Sequence, residues 1–379
     1  TMHDPRIDKL ARVITEYSTR VQPGQLVRIS GEPGATPLIE ALYERVLLAD
    51  AHPMVRCAPD SLQEIFFTRA SDEQLKHVNP LTLEEIKRID VSIGIWAEAN
   101  TRALSRIDPK RQSIASAARR PIMEIFMDRA AKGELHWCGT QFPTIACAQD
   151  AEMSLRQYED FVFSAGKLEY DDPVAEWRKI EEKQQKVVDY LKDKKELRFQ
   201  AANGTDLTVN VEGMTWINCA GRENFPDGEV FTGPNLKAKD GGVNGVVRYS
   251  FPAVHHGREV HEIELTFEKG KVVQAKAGKG EDFLLQMLDQ DEGARFLGEI
   301  AIGTNYDITE YTRNTLFDEK IGGTFHAAVG AGYPETGNAN QSGLHWDMVC
   351  DLRQAAGGGT ISADGETFHR DGQFLIAGW

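Results

Sequence analysis

Near residue 170 the hydrophobic pattern of this chain changes period, and that change limits the available folds more than any composition figure does. Before it, strand-length apolar runs alternate with helical stretches. LVRISG (26–31), PMVRCA, VSIGIWA and ELHWCGTQFP read as strands; ATPLIEALYERVLLADA, PKRQSIASAARRPIMEIFMDRAAKG and DAEMSLRQYEDFVFSAG read as helices. Such alternation argues for a helix-covered, largely parallel sheet, so residues 1–170 are expected to form an α/β N-terminal domain. Residues 171–197, DDPVAEWRKIEEKQQKVVDYLKDKKEL, form a charged helical stretch with Ile180, Val187 and Leu191 at helical spacing, expected to link two parts. Beyond it the pattern is short strands and tight turns. ELRFQAANGTDLTVNVEG and HEIELTFEKGKVVQAKAG read as hairpins, the second turning at Lys269-Gly270, and ISADGETFHRDGQFLI holds two Asp-Gly turns. One amphipathic helix, GEDFLLQMLDQDEGARF, interrupts them. Residues 198–379 are therefore expected to be an α+β, β-rich domain.

Charge and cysteine usage narrow the partners. The formal net charge is −15, with acidic residues spread along the chain, which disfavours nucleic acid or an anionic membrane as partner and leaves cations open. Five cysteines with no C-x-x-C spacing suit a reducing compartment and buried thiols, so the cytoplasm is the expected location. No apolar run reaches 18 residues, and TMHDPRIDKLARVITEY lacks a signal pattern.

The stretch LHWDMVCDL carries the first sign of chemistry. As a strand it places Leu344, Trp346, Met348, Cys350 and Leu352 on one side and His345, Asp347, Val349 and Asp351 on the other. An imidazole and a carboxylate two residues apart on a strand can converge on one cation. Three further residues join them. KIGGTFHAAVGAGY puts His326 on an alternating strand, with Phe325, Ala327 and Val329 opposite; RFLGEIAIGT embeds Glu299 among apolar neighbours, where an unpaired carboxylate would be costly; NFPDGEVFTGPN holds Glu229 just before a strand. Three carboxylates and two imidazoles are too many for one tetrahedral site and enough for two divalent ions, whose four positive charges would be balanced by the carboxylates and a bridging hydroxide.

Other signals carry less. GEPGATP lacks both G-x-G-x-x-G and G-K-[ST], AAGGGT reads as a flexible turn, and His255, His256 and His261 cluster at a reverse turn expected on the surface. No G-x-S-x-G or papain-like cysteine pattern is present, so no nucleotide cofactor or covalent nucleophile is expected.

Together, FPDGEVFTGP, LGEIAIGTN, FDEKIGGTFHAAVG, GYPETG and HWDMVCDLR resemble the thermophilic aminopeptidase T and aminopeptidase S family of metallopeptidases, and GELHWCGTQFPT and AQDAEMSLRQYEDFVF resemble its N-terminal half. The resemblance implies that the family's five metal ligands fall on Glu229, Glu299, His326, His345 and Asp347, the residues already singled out. It further implies a dinuclear site, a cytosolic homodimer with an enclosed cavity, and removal of N-terminal amino acids from peptides with a free N-terminus. Tyr333 matches the family tyrosine that hydrogen-bonds the tetrahedral intermediate. Two departures lie beside these positions: NLKAKDGGVNG is longer than the usual loop, and the stretch from Tyr333 to His345 is shorter.

The expected function is thus a metallo-aminopeptidase using zinc or cobalt, with magnesium or manganese next. Glu299 either bridges the ions or assists proton transfer. Two rivals remain at this point: a non-haem iron ring-cleaving dioxygenase of the same fold, which needs only two His and one carboxylate, and a metal-stabilised binding protein without turnover.

Overall fold

The computed structural model describes residues 4–379. The chain divides into two compact units: one runs to Glu176 and takes in Gly221–Pro226, and the other comprises Trp177–Ala220 and Asp227–Trp379.

The first unit is built on a five-stranded sheet. Its four long strands are Leu26–Gly31, His52–Cys57, Val91–Trp96 and His136–Gln141, all paired in parallel, and the two-residue strand Asn224–Phe225 extends it beyond His136–Gln141. The strand expectations are met within a residue or two. Helices Pro5–Arg12 and Thr36–Leu48 bury Leu10, Leu38 and Leu42, while Ile86, Ile89 and Leu135 form a core with Ile122, Ile125 and Phe126 of the long helix Pro109–Ala131. The stretch read as one helix from Asp150 differs: the helix is Leu155–Ala165, starting at a capping box in which Ser154 accepts from Gln157 N and Gln157 reaches back to Ser154 N. That reciprocal pair satisfies two backbone donors and stops the helix from extending backwards.

The second unit is antiparallel. An eight-stranded sheet includes Glu196–Ala201, Asp206–Asn210, Glu264–Glu268, Lys271–Lys276, Gly359–Ala363 and Glu366–Arg370. The turn chemistry read from the sequence is realised: Lys269-Gly270, Asp364-Gly365 and Asp371-Gly372 all have both residues at positive φ, as two-residue hairpins with the right-handed strand twist require. A second, five-stranded sheet orders His345–Asp351, Thr324–Gly330, Leu297–Gly303, Glu229–Thr232 and Ile217–Cys219 side by side. One face of this sheet supplies Val230, Ile300, Ile302, Phe325, Val329, Trp346, Met348 and Cys350 to a core shared with Leu197, Phe199 and Phe267. That apolar face fixes the register, since a one-residue slip would turn every core residue outward.

Candidate metal centre

Register puts the singled-out residues on the opposite face of the same sheet. Ala301 pairs with His326 and Phe231, Ala328 with Glu299 and Asp347, Gly303 with Glu229, and Gly330 with His345. Each charged or imidazole side chain therefore has Ala or Gly as a cross-strand neighbour on one side, although His326 also faces Val349 and Glu229 faces Cys219, and the small residues leave the space into which the large ones lean. A β-bulge between Leu297 and Glu299 re-aims the glutamate. Gly228, at φ +136°, leads into Glu229; a Cβ there would lie 2.6 Å from Asn305 Cβ, so this approach to the strand requires glycine.

All five side chains meet. His326 Nε2 is 3.0 Å from Glu299 Oε1, 3.4 Å from Glu229 Oε2 and 3.8 Å from Asp347 Oδ1. His345 Nε2 is 3.5 Å from Glu299 Oε2 and 3.4 Å from Asp347 Oδ1. Glu229, Glu299 and His326 offer one set of ligand atoms within 4.8 Å of one another, Glu299, His345 and Asp347 offer a second, and Glu319, His326 and Asp347 a third that overlaps them; Glu299 belongs to the first two, with one oxygen toward each imidazole.

The donor set suits divalent ions. Both rings are anchored through Nδ1, His326 to the Glu319 carbonyl at 3.0 Å and His345 to the Ala331 carbonyl at 2.9 Å. A carbonyl can only accept, so each Nδ1 carries the proton and each Nε2 is the atom turned to the cluster, the arrangement found behind metal-bound imidazoles. Glu229 Oε2 is buried without a hydrogen-bond partner, an orphan acceptor that a cation would satisfy. Electrostatics points the same way. Burial pushes the carboxyls of Glu229 and Glu299 above the usual range. For the imidazoles burial works the other way, but the Glu299 hydrogen bond and nearby carboxylates push His326 up to about 10, and Asp347 and Glu299 do the same for His345. Burial alone would raise Asp347, yet His345 holds its carboxyl well below the usual range. So much negative charge under little solvent attracts either protons or metal.

Tyr333 lies at the rim, 37% exposed, opening the short 3₁₀ turn Pro334–Thr336. Its ring packs edge-on against His345 at 5.2 Å and Phe231 at 5.4 Å. Burial, reinforced by Glu299 and Asp347, holds its phenol well above the usual value, so it is a hydrogen-bond donor at neutral pH. Of the three histidines expected on the surface, His256 is exposed, whereas His255 is half-buried, 5.1 Å from the Trp346 ring, and burial lowers it to about 4.

Three residues beside the site escaped the sequence reading. Lys320 is completely buried, its ammonium paired with Glu319 and 3.7 Å from Glu229 Oε1. Glu319 thus supplies the carbonyl behind His326 and the carboxylate beside Lys320. Gln184, in the charged helix Pro173–Leu191, is buried and donates to the carbonyl of Glu229 at 3.1 Å while accepting from Thr304 Oγ1 at 2.8 Å. Lys320 directly follows Asp318 and Glu319 and reads as a surface residue, so no local pattern marks either it or Gln184.

A family model described as thermophilic metalloprotease (M29) matches residues 3–374. The chain belongs to this family. Among its curated relatives, Aminopeptidase 2 of Geobacillus stearothermophilus is 29% identical over 355 residues, covering 87% of this chain and 84% of that protein. Aminopeptidase T of Thermus thermophilus is 35% identical over 224 residues, 55% of this chain and 52% of that one. Among solved structures, wild-type AmpT from Thermus thermophilus aligns with a TM-score of 0.84 at 25% identity over 98% of this M29 chain and 99% of that chain. A 2,5-dihydroxypyridine dioxygenase from Pseudomonas putida aligns with a TM-score of 0.59 at 13% identity, over 98% and 97% of the two chains, and shares the fold alone.

Proposed function

We propose that this M29 metalloprotease is an aminopeptidase working through two divalent ions, zinc or cobalt foremost and magnesium or manganese next. The observation that carries the reading is the sharing of Glu299 between two sets of three ligand atoms. Glu229, Glu299 and His326 would hold one ion, and Glu299, His345 and Asp347 the other. Bound divalent ions supply Lewis acidity and a water of lowered pKa. Glu299, common to both sets, would either hold both ions or, acting from one set alone, accept the proton that such a water releases. Tyr333, kept protonated, donates its phenol proton in a hydrogen bond to the oxyanion that forms when the peptide carbonyl is attacked. A free α-ammonium on the substrate would be met by a carboxylate of this acidic cluster, which restricts cleavage to the first residue. A mononuclear iron site would need one carboxylate, leaving the buried Glu229 without a role.

The test is release of N-terminal residues from a panel of short peptides after metal removal and after its return. The reading expects loss and recovery on peptides with a free N-terminus and little cleavage of their N-acetylated forms. Equal rates on both forms would contradict it.

A cytoplasmic homodimer belongs to the same proposal. The cysteines are free thiols, as a reducing compartment expects. Light scattering on the purified protein reads the dimer directly.

A further inference from the structure

The parallel sheet of the first unit has one apolar face and one that is partly polar. Val27 and Ile29 are fully buried on one side, whereas Arg28 and Ser30 alternate to the other, where register sets Arg28 beside Met54 and Ser92, and Ser30 beside Arg56 and Gly94. Parallel strands covered by helices ordinarily carry apolar residues on both faces, so polar side chains here call for a reason. Leu26 and Met54 on this face pack against the Ile86, Ile89 and Leu135 core, but nothing lies within 4 Å of where a Gly94 Cβ would stand, so the face is open at that point. A cavity of about 530 Å³ occupies the region, with Arg28, Ser30 and Arg56 contributed by strands and Asn79, Thr82 and Glu85 by the segment opposite. That volume suits a small organic molecule.

Two guanidinium groups share one carboxylate in this cavity. Arg56 donates Nε at 3.0 Å and Nη2 at 2.5 Å to Glu85 Oε2, and Arg28 donates Nη1 at 3.3 Å to Glu85 Oε1 and Nη2 at 2.8 Å to Ser92 Oγ. Arg28 Nε is buried with no partner. The cavity thus keeps one positive charge in excess, in a protein whose net charge is −15. A brace between strand and helix would be complete with one arginine per carboxylate. The surplus fits an oxyanion, which the flat fork of a guanidinium binds through paired hydrogen bonds. Leu81, lining the cavity and 73% exposed, offers apolar surface to the carbon body of such a ligand.

We propose that this cavity binds a small organic oxyanion, with its carboxylate or phosphate group against Arg56 and Arg28 and in competition with Glu85. The experiment is calorimetric titration of the metal-loaded full chain with inorganic phosphate and, separately, succinate, at constant ionic strength. The expected result is saturable binding of at least one of them, with the two arms telling phosphate from carboxylate. R56Q should weaken it by about tenfold or more, the worth of a charge-assisted pair. E85Q should tighten it, because the competing carboxylate is gone, and R56Q should leave peptide cleavage unchanged. No saturable binding of either probe would overturn the proposal. So would equal affinity in wild type and R56Q, which would place the anion elsewhere, or an E85Q protein that binds no tighter, which would reduce the trio to a structural brace.

Discussion

The reactivity of this M29 chain comes down to a few side chains whose charges burial makes consequential. Tyr333 sits at the rim against His345, outside the two ligand sets. Tyr333→Phe should therefore retain its metal while kcat falls about 100-fold or more with KM little changed, the usual cost of losing one oxyanion donor; an unchanged kcat in steady-state assays would remove Tyr333 from the reaction. Lys320 is the cation shared by the buried carboxylate of Glu229 and the half-buried one of Glu319. Lys320→Met leaves them uncompensated and should cost about 3–5 kcal/mol in urea denaturation, in line with other broken buried pairs; a loss below about 1 kcal/mol would mean that the carboxylates do not depend on it. The histidines make a pH prediction with a definite sign. Both are raised from 6.5 to about 10, so in the chelated protein their stabilisation is fully present below pH 6.5 and lost as pH climbs through about 10. Its urea midpoint should fall between pH 7 and pH 10.5, and fall less in His345→Gln. Metal requires neutral imidazole, so titration at pH 7 should release protons and affinity should rise with pH. A midpoint that rises over that interval would contradict the assignment.

Among the elements, the five-stranded sheet makes the site by its alternation. The face bearing His326 and Glu299 has room for these side chains because Ala301, Ala328, Gly303 and Gly330 stand beside the proposed ligands. Filling that gap should separate folding from metal uptake: Ala328→Leu is expected to lose about 1–3 kcal/mol of stability by overpacking while metal content by mass spectrometry drops toward zero. Wild-type metal content in that variant would show that the space between Glu299 and Asp347 is not where ions bind. Much of this was legible beforehand because period two sorts a strand without knowledge of its neighbours. His345 and Asp347 separate from Trp346 and Met348 on sequence alone, and Asp-Gly pairs announce their hairpins. What was not legible depends on partners distant in sequence. The strand Asn224–Phe225 joins a sheet whose other members end at Gln141, and Gln184 reaches the Glu229 carbonyl 45 residues on. Lys320 reads as a surface residue by type, and only the carboxylates gathered around it explain its burial.

At the scale of the whole molecule, the acidic chain concentrates buried carboxylates, Glu229 and Glu299 among them, in one unit. Metal that binds only the folded state stabilises it by mass action, so chelation should lower the melting temperature and metal return should restore it in a concentration-dependent way. A melting temperature indifferent to chelation would mean that the centre stands without ions. The most direct test of the central claim is the number of ions bound per chain at saturation, read by equilibrium dialysis with zinc or cobalt on the wild type and on Glu299→Ala. Two per wild-type chain and fewer than one in the variant is the outcome expected of a carboxylate common to both sets of ligands. A single ion in the wild type, or two retained in Glu299→Ala, would contradict it.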